Sequence, residues 1–285
     1  MPELITILPQ LPPRPIEGHK GVFGRVLIVG GSIGMIGAPA LAATAALRTG
    51  SGLVQIAVPR SILAACLTIT PELIGLGLGK STAKDQLLKN AEFADAVAIG
   101  PGLGRAPEAM DRLRRLIRLV DKPMVIDADA LNLLASLKRW PTDFRARAVL
   151  TPHPGEMKRL AKLFGRDNVP TGDAGRLKLA TEAAKAFGQT VVLKGYRTVI
   201  TDGRRASINS TGDSSLSKAG TGDVLTGTIV SLLGQHIEPF DAARLATHLH
   251  GRAGELAGKR LGRRSVLARD VLESLSEAIR EIESP

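Results

Sequence analysis

Apolar positions along this chain fall into two kinds of run that alternate. Short, largely apolar runs include Val26 to Val29 after Arg25, Leu53 to Val58 with one polar residue at Gln55, Ala96 to Ile99 after Asp95, Met124 to Ile126 after Pro123, Ala148 to Leu150 and Thr190 to Leu193. Runs of this length, bounded by Gly, Pro or charged residues, predict buried β-strands. Longer segments lie between them, such as the Ala-rich stretch from Ala38 to Thr49, stopped by Gly50, and the basic one around Arg112, Arg114, Arg115 and Arg118. Their apolar residues have helical spacing. Val224 to Leu233, Asp241 to Gly258 and Ala268 to Ile282 predict further helices, and Thr198 to Thr201 predicts a hairpin partner across Tyr196-Arg197. Strands alternating with helices predict an α/β fold, a mostly parallel sheet covered by helices on both faces. No repeat or low-complexity linker interrupts residues 1–285, so one domain is expected. Residues 1–17, with a Pro-rich stretch from Leu8 to Pro15, are expected to form a loose arm or an oligomer contact.

Nearly every unusual cluster stands at the carboxyl end of a predicted strand, where open α/β sheets gather their ligands. The most informative is Lys218-Ala219-Gly220-Thr221-Gly222-Asp223, which opens the helix beginning at Val224. A tight Gly-rich turn into a helix leaves backbone N–H groups unpaired and adds the positive end of the helix dipole, a ready phosphate site. A carboxylate there repels the anion, unless Asp223 takes a proton from a hydroxyl that attacks the bound phosphate. The plainer reading is that Asp223 caps the helix. Other clusters also carry two readings. Gly100-Pro101-Gly102-Leu103-Gly104 is a close backbone approach to a ligand or a tight turn. His153, between two prolines, is a rigidly positioned site residue or an ordinary surface-loop histidine. Lys194 is a point charge for phosphate or a gatekeeper at the sheet edge. Asp127 and Asp129 hold a metal through water or cap the helix starting near Leu131, and capping is the favoured reading.

Two familiar phosphate motifs are absent. Gly79-Lys80-Ser81 resembles the end of a P-loop, but the first glycine would fall at Ile74. Gly30-Gly31-Ser32-Ile33-Gly34 cannot carry G-x-G-x-x-G, and Pro59-Arg60 stands where the next strand would need an acid. A P-loop NTPase and a Rossmann dehydrogenase are thereby excluded.

Composition narrows the picture further. Aromatic residues make up only 3%, so the core is built from Ala, Leu, Ile and Val. A net charge of +11 invites a nucleic-acid reading, but the basic residues are scattered and there is one Tyr and one Trp for stacking. A polyanionic small substrate explains the surplus better than nucleic acid does. The single cysteine, Cys66, excludes an intrachain disulfide and a cysteine-rich metal site, in keeping with a reducing compartment. The N-terminus lacks the basic and apolar parts of a signal peptide. Val26 to Leu47 carries no charge, but Gly30, Gly31, Gly34, Gly37 and Pro39 break it into strand, turn and helix, so no membrane span is expected.

Taken in order, several motifs form a pattern: Gly18-His19-Lys20-Gly21, Gly24, Val26 to Ser32, Gly37-Ala38, Ala46 to Gly50 and Gly100 to Gly104. Asp127-Ala128-Asp129-Ala130-Leu131-Asn132, Thr151 to Glu156 and Gly220 to Leu225 continue it. Over residues 18 to 255 the chain resembles the ADP-dependent NAD(P)H-hydrate dehydratases of the ribokinase-like superfamily, in a stand-alone form. Gly220 to Asp223 alone would indicate only the superfamily; Thr151 to Glu156 with His19-Lys20-Gly21 narrows it.

The resemblance implies a ribokinase-like three-layer fold and the repair of NADH or NADPH hydrated at ring carbon C6, the S-epimer being the substrate. The C6 hydroxyl is phosphorylated from ADP and phosphate is eliminated, leaving AMP. By the same resemblance Asp223 is the base, and the amides of Gly220, Thr221 and Gly222 steady the transferred phosphate. Ala38, Gly102, His153 and Asp223 line the hydrated dinucleotide, while Lys194, Gly195, Tyr196, Arg197, Thr198, Gly220, Thr221 and Gly222 hold ADP. Magnesium (Mg2+) bridges phosphate oxygens, with no protein ligand assigned. A cytoplasmic homo-oligomer, a tetramer, is implied, without nucleic-acid or membrane partners. Many bacterial members carry an N-terminal epimerase domain; with about 17 residues before the match, a separate epimerase is expected as functional partner. Asn209 to Ser217 departs from the family's Asn-Pro-Gly type of run, and Ala219 replaces a common glycine, which puts the shape of that loop and the rate in question. The alternative is a kinase of the same superfamily that leaves phosphate on a vitamin-precursor hydroxyl. A non-catalytic nucleotide or nucleic-acid binder would tolerate loss of the Asp223 charge.

Overall fold

The computed structural model describes residues 1–79, 83–137 and 140–283. Lys80 and Ser81, of the incomplete P-loop pattern, lie outside the described residues. The strands are β1 (Glu3–Leu4), β2 (Arg25–Val29), β3 (Leu53–Pro59), β4 (Ile74–Leu78), β5 (Ala96–Ile99), β6 (Met124–Ile126), β7 (Ala148–Leu150), β8 (Thr190–Leu193), β9 (Val199–Thr201) and β10 (Arg205–Ile208). The helices are α1 (Gly37–Arg48), α2 (Arg60–Ile69), α3 (Ala83–Phe93), α4 (Pro107–Leu119), α5 (Ala128–Ala135), α6 (Pro154–Ala161), α7 (Asp173–Phe187), α8 (Thr221–Gly234), α9 (Pro239–Leu261) and α10 (Ala268–Glu283).

All described strands join one sheet in the order β1-β10-β9-β8-β7-β6-β5-β2-β3-β4. Pairing is parallel except around β9, which runs antiparallel to β8 and β10. Side chains alternate across the sheet. Val26 and Ile28 enter one core with residues of α1, α2, α8, α9 and α10. Leu27 and Val29 enter a second core with α3 to α7. The two cores make a three-layer α/β fold, as the sequence pattern predicted. In α4, Ala109, Leu113, Leu116 and Ile117 are buried, Arg114 and Arg118 are exposed, and Arg112 and Arg115 are half-buried at the margins of the apolar stripe. Each fully buried Leu or Ile contributes about 1.5–3 kcal/mol, so this basic helix is held by its apolar stripe rather than by an anion.

Between β2 and β5 the strand order reverses, because the chain winds outward to β4 and returns on the other side of β2. A crevice opens at that switch point. Gly30 is required there: a Cβ on it would stand 2.1 Å from the Pro101 carbonyl oxygen. The Gly31 amide donates to that oxygen at 2.9 Å, tying the two glycine loops together.

The expected loose arm is not loose. The Glu3 amide donates to Arg204 O and the Ile5 amide to Ala206 O, both at 2.8 Å, so β1 extends the sheet edge. Ile5, Leu8 and Leu11 pack on the first core. Arg244 donates to the Ile7 carbonyl, and the Arg14 guanidinium stacks 3.9 Å from the Phe23 ring centroid. Apolar residues spaced between the prolines drive this docking, a signal that a Pro-rich composition obscures. No helix among the described residues is long and apolar enough to cross a membrane.

Candidate active site

Five strands deliver the site at their carboxyl ends. The loops after β2 and β5 bring Ala38 and Gly102 together: a Cβ on Gly102 would lie 3.2 Å from that of Ala38. The α1 helix that begins here packs against α8, Leu41 reaching the Gly220 position. Gly220, at φ +90°, takes the left-handed conformation that turns the chain into α8, with no side-chain cap. Among the described residues, the Gly222 and Asp223 amides at this helix start have no backbone partner, while the Val224 amide already reaches Gly220 O. These free donors and the helix dipole form an anion site at the expected turn, but its donors differ from those expected. The Thr221 amide is bonded to Lys218 O at 3.4 Å, and the Asp223 amide is free in its place.

Beside it lies a buried charge cluster. Asp127, at the end of β6 and 1% exposed, was expected to cap α5, but its side chain makes no capping bond. It accepts instead from Lys194 Nζ at 2.8 Å, Thr151 Oγ1 at 2.7 Å and Thr226 Oγ1 at 2.7 Å. Partners from β8, the end of β7 and α8 meet on this one carboxylate. Burial opposes its charge, but Lys194 and the two hydroxyls hold its pKa below the usual carboxylate value. Ala128 follows at φ +48°, a conformation that costs Ala on the order of 1 kcal/mol. Asp129, the second half of the expected capping pair, instead accepts from the Gly104 amide at 2.9 Å, which braces the glycine loop after β5.

Lys194 ends β8, its amide bonded to Pro152 O at 2.9 Å. Its ammonium stands 3.5 Å from where a Cβ on Gly222 would be, directly beside the anion site. Burial works against this charge, but Asp127, Glu156 and Asp223 together raise its pKa above the ordinary lysine value. The Asp223 carboxylate has no hydrogen bond or ion-pair partner among the described residues. Burial, aided by the Asp127 charge and opposed by Lys194, pushes its pKa up to about 7. A capping carboxylate bonded to amides would be driven down instead.

His153 caps α6. Its Nδ1 accepts from the Gly155 and Glu156 amides at 2.9 and 3.4 Å, and Glu156 Oε2 accepts from the His153 amide at 2.8 Å. The remaining nitrogen, Nε2, lies 3.3 Å from Glu156 Oε1. Both ring nitrogens are thus engaged within the chain, and the half-exposed ring can offer a ligand its face and carbon edge. Burial first, then Lys194 and Arg159, lower its pKa and keep it neutral. Glu156 is buried by its surroundings and pushed up to about 7.

Next to the anion site is a cavity of about 380 Å³. Lys194, Gly195, Tyr196, Thr198, Thr221 and Gly222, all expected at the nucleotide, line it. Arg197 turns away: its Nε donates to Asp173 Oδ2 at 2.6 Å. Gly220 lies outside the lining and acts through the turn into α8. Arg176, missed in the sequence, reaches from α7 and donates to the carbonyls of Leu193, Lys194, Tyr196 and Arg197 at 2.6–3.5 Å, which shapes the β8–β9 turn. The divergent loop supplies Asn209, Thr211, Gly212, Asp213, Ser214, Leu216 and Ser217 to the far wall. Asn209 Nδ2 donates to the Thr211 and Thr247 carbonyls, Thr211 Oγ1 to His248 O, and the Gly212 amide to Glu255 Oε1, so α9 holds the loop. His250, also missed, donates from Nε2 to the Thr221 carbonyl at 2.8 Å, and burial pushes its pKa down to about 4. Long-range contacts of this kind leave no local signal; a histidine on the apolar stripe of α9 was the one hint.

Among the described residues no group of three or more His, Cys, Asp or Glu could hold a metal ion. The oxygens of Asp127 are spent on its three donors. This donor set fits a magnesium ion carried by phosphate oxygens and water rather than by a protein cage.

A family profile described as NAD(P)H-hydrate dehydratase matches residues 26–277. The bifunctional NAD(P)H-hydrate repair enzyme Nnr of Moorella thermoacetica is 44% identical over 283 residues, covering 96% of this chain and 52% of its own length. The enzyme of that name from Escherichia coli is 38% identical over 270 residues, covering 94% of this chain and 50% of its own length. The chain therefore spans about half the length of the curated relatives it matches. An ADP/ATP-dependent NAD(P)H-hydrate dehydratase from Bacillus subtilis, co-crystallised with ATP/Mg2+, superposes with a TM-score of 0.81 at 32% identity, over 96% of this chain and 95% of that one. A ribokinase-like superfamily protein from Enterococcus faecalis superposes at 0.80 with 26% identity, covering 96% and 93% of the two chains. The three-layer fold is ribokinase-like. A hydroxyethylthiazole kinase from Pyrococcus horikoshii, 18% identical at a TM-score of 0.65 and covering 90% and 91% of the two chains, shares that fold alone.

Proposed function

The chain belongs to the NAD(P)H-hydrate dehydratase family, and from that premise we propose that it restores NADH or NADPH from the C6-hydrated S form, using ADP as phosphate donor and magnesium. The observation that carries this reading is an open, half-buried carboxylate, Asp223, raised to about 7 at the start of an anion-binding helix beside a half-buried lysine that is paired to Asp127. A base of that strength is partly ionised near neutral pH, where general-base catalysis is most effective.

Asp223 takes the proton of the C6 hydroxyl as its oxygen attacks the terminal phosphorus of ADP, and the bond to AMP breaks. The Gly222 and Asp223 amides and the Lys194 ammonium receive the phosphoryl charge. Hydroxide leaves carbon poorly, phosphate well. The ring nitrogen's lone pair then drives the C6–O bond apart, phosphate departs, and loss of a C5 proton restores the reduced ring. Magnesium, held by phosphate oxygens, would offset the charge of the diphosphate. The hydrated ring would lie in the crevice by Ala38, Gly102 and His153, and ADP in the cavity lined by Lys194 to Thr198 and the Asn209 to Ser217 loop. Arg197 would contribute there through its backbone.

An epimerase acting on the R form would be the functional partner. The reduced-dinucleotide pool it would serve suits a cytoplasmic location. The test mixes hydrated NADH, magnesium and protein with ADP or ATP in parallel and follows the reduced-nicotinamide absorbance. A rise with ADP alone is expected, with AMP and phosphate in equal amounts. A rise with ATP alone would overturn the donor. A phosphorylated alcohol with no rise would overturn the reaction in favour of a kinase.

A further inference from the structure

One lysine sits among three carboxylates at this site, and its choice of partner is not obvious. Lys194 Nζ lies 2.8 Å from Asp127 Oδ1, and it borders the start of α8 at Gly222. Asp223 is the next residue on that helix, and its carboxylate is unpaired among the described residues. Glu156 also acts on the ammonium but is committed to the His153 cap. We propose that Asp127 is a positioning residue: it anchors the Lys194 ammonium over the anion site and keeps it from pairing with Asp223. This rests on the reading of Asp223 as base and deepens it.

Three features make Asp127 a firm anchor. Thr151 and Thr226 donate to its two oxygens, one from the sheet and one from α8, so the carboxylate is fixed in position and orientation. It is almost fully buried, so the ion pair is little screened. The anchor is also part of α8 itself through Thr226, one helical turn beyond Asp223 on the same helix. Lysine thereby remains fully charged for phosphate while the base keeps its proton affinity. An ammonium paired with Asp223 would weaken the base and tie up the carboxylate that must take the proton.

Few other charges face Asp223. From β6 there is Asp127, from β8 Lys194, and from α6 Glu156 acting through Lys194. From α9 there is His250, held neutral against the Thr221 carbonyl. The first turn of α1 carries no charge, and Lys218 and Arg269 at the loop and the start of α10 are exposed.

The test follows the carboxyl-carbon titration of Asp223 by NMR in protein labelled at aspartate, its signal identified by loss in Asp223→Asn. In Asp127→Asn, which keeps size and an acceptor oxygen, the freed ammonium should pair with Asp223. Loss of the Asp127 charge lowers the Asp223 midpoint by itself, so the fall is read against the same substitution in a Lys194→Gln background. It should be at least one pH unit larger when Lys194 is present, tenfold in ionisation constant, and an equal fall in both backgrounds overturns the proposal. In the double variant Asp127→Asn, Lys194→Gln the two charges leave together, and the midpoint should return to within about half a unit of the wild type. An unchanged or raised midpoint in Asp127→Asn overturns the proposal. Should that variant not fold, the double variant decides, because a fall to the ordinary carboxylate range there also overturns it. The acid limb of kcat, measured in parallel, separates the two ideas. A midpoint that moves without the limb refutes Asp223 as base but leaves the anchoring intact.

Discussion

Replacing Asp223 with Asn should make the protein inactive and more stable. The wild-type carboxyl is moved from its ordinary 3.8 to about 7 by burial and by the nearby Asp127 charge. That displacement corresponds to about 4 kcal/mol of unfavourable ionisation in the folded state, an upper figure because relaxation and water reduce it. The direction with pH follows from the proton balance. Below 3.8 both folded and unfolded chains hold the proton, and there is no penalty. Between 3.8 and about 7 the unfolded chain ionises while the folded one does not, so wild-type stability falls. Above about 7 the penalty is complete. Asn is uncharged throughout, so the variant should gain over wild type across that window and level off near pH 8. A difference of 2–4 kcal/mol is expected there, by urea unfolding at pH 4, 5, 6, 7 and 8. Turnover should fall by about 10²–10⁴, with nucleotide binding by calorimetry nearly unchanged. A difference that is flat with pH, or a variant less stable at pH 8, would refute the buried, unpaired carboxylate. Retained turnover would refute its role as base.

Three further outcomes are expected. Gly251→Ala places a Cβ 2.2 Å from Thr211 Oγ1 and 2.7 Å from Thr211 backbone atoms, so the Asn209 to Ser217 loop must lift from α9. Its ADP dissociation constant should rise about tenfold by calorimetry, with kcat at saturation changed far less. Arg176→Met leaves buried carbonyls without their donor, and should cost about 3 kcal/mol by urea unfolding while weakening ADP binding through the β8–β9 turn. Deleting residues 1–8 removes β1 and the Ile7 contact of Arg244, lowering stability by about 2–3 kcal/mol with kcat unchanged. A changed kcat there would mean that the arm reaches the site.

What the sequence revealed and what it hid divide along physical lines. Strands β2, β5, β6, β7 and β8 are buried on both faces along nearly their whole length, and β3 is broken only at Gln55, so each is a mostly apolar run that can be read without a partner. Strand β4 is an edge strand whose Ile74-Gly75-Leu76-Gly77-Leu78 pattern breaks that run with glycines, and β10 begins on a charged Arg205; neither announces itself. The same holds for the site. Gly220 to Asp223 is legible because a helix start and its free amides are local geometry, fixed by neighbours in sequence. Asp127 is not, because capping is the local use of an Asp before a helix, and three donors 24, 67 and 99 residues away outbid it. A carboxylate as fully buried as Asp127 must find donors wherever the fold supplies them, since leaving it unpaired costs far more than a missing cap; Asp223, only half-buried, is left without one. Sequence spacing shows where phosphate can bind. Which carboxylate anchors the lysine, and which is left free as a base, is decided only when the ends of β6, β7 and β8 and the start of α8 meet.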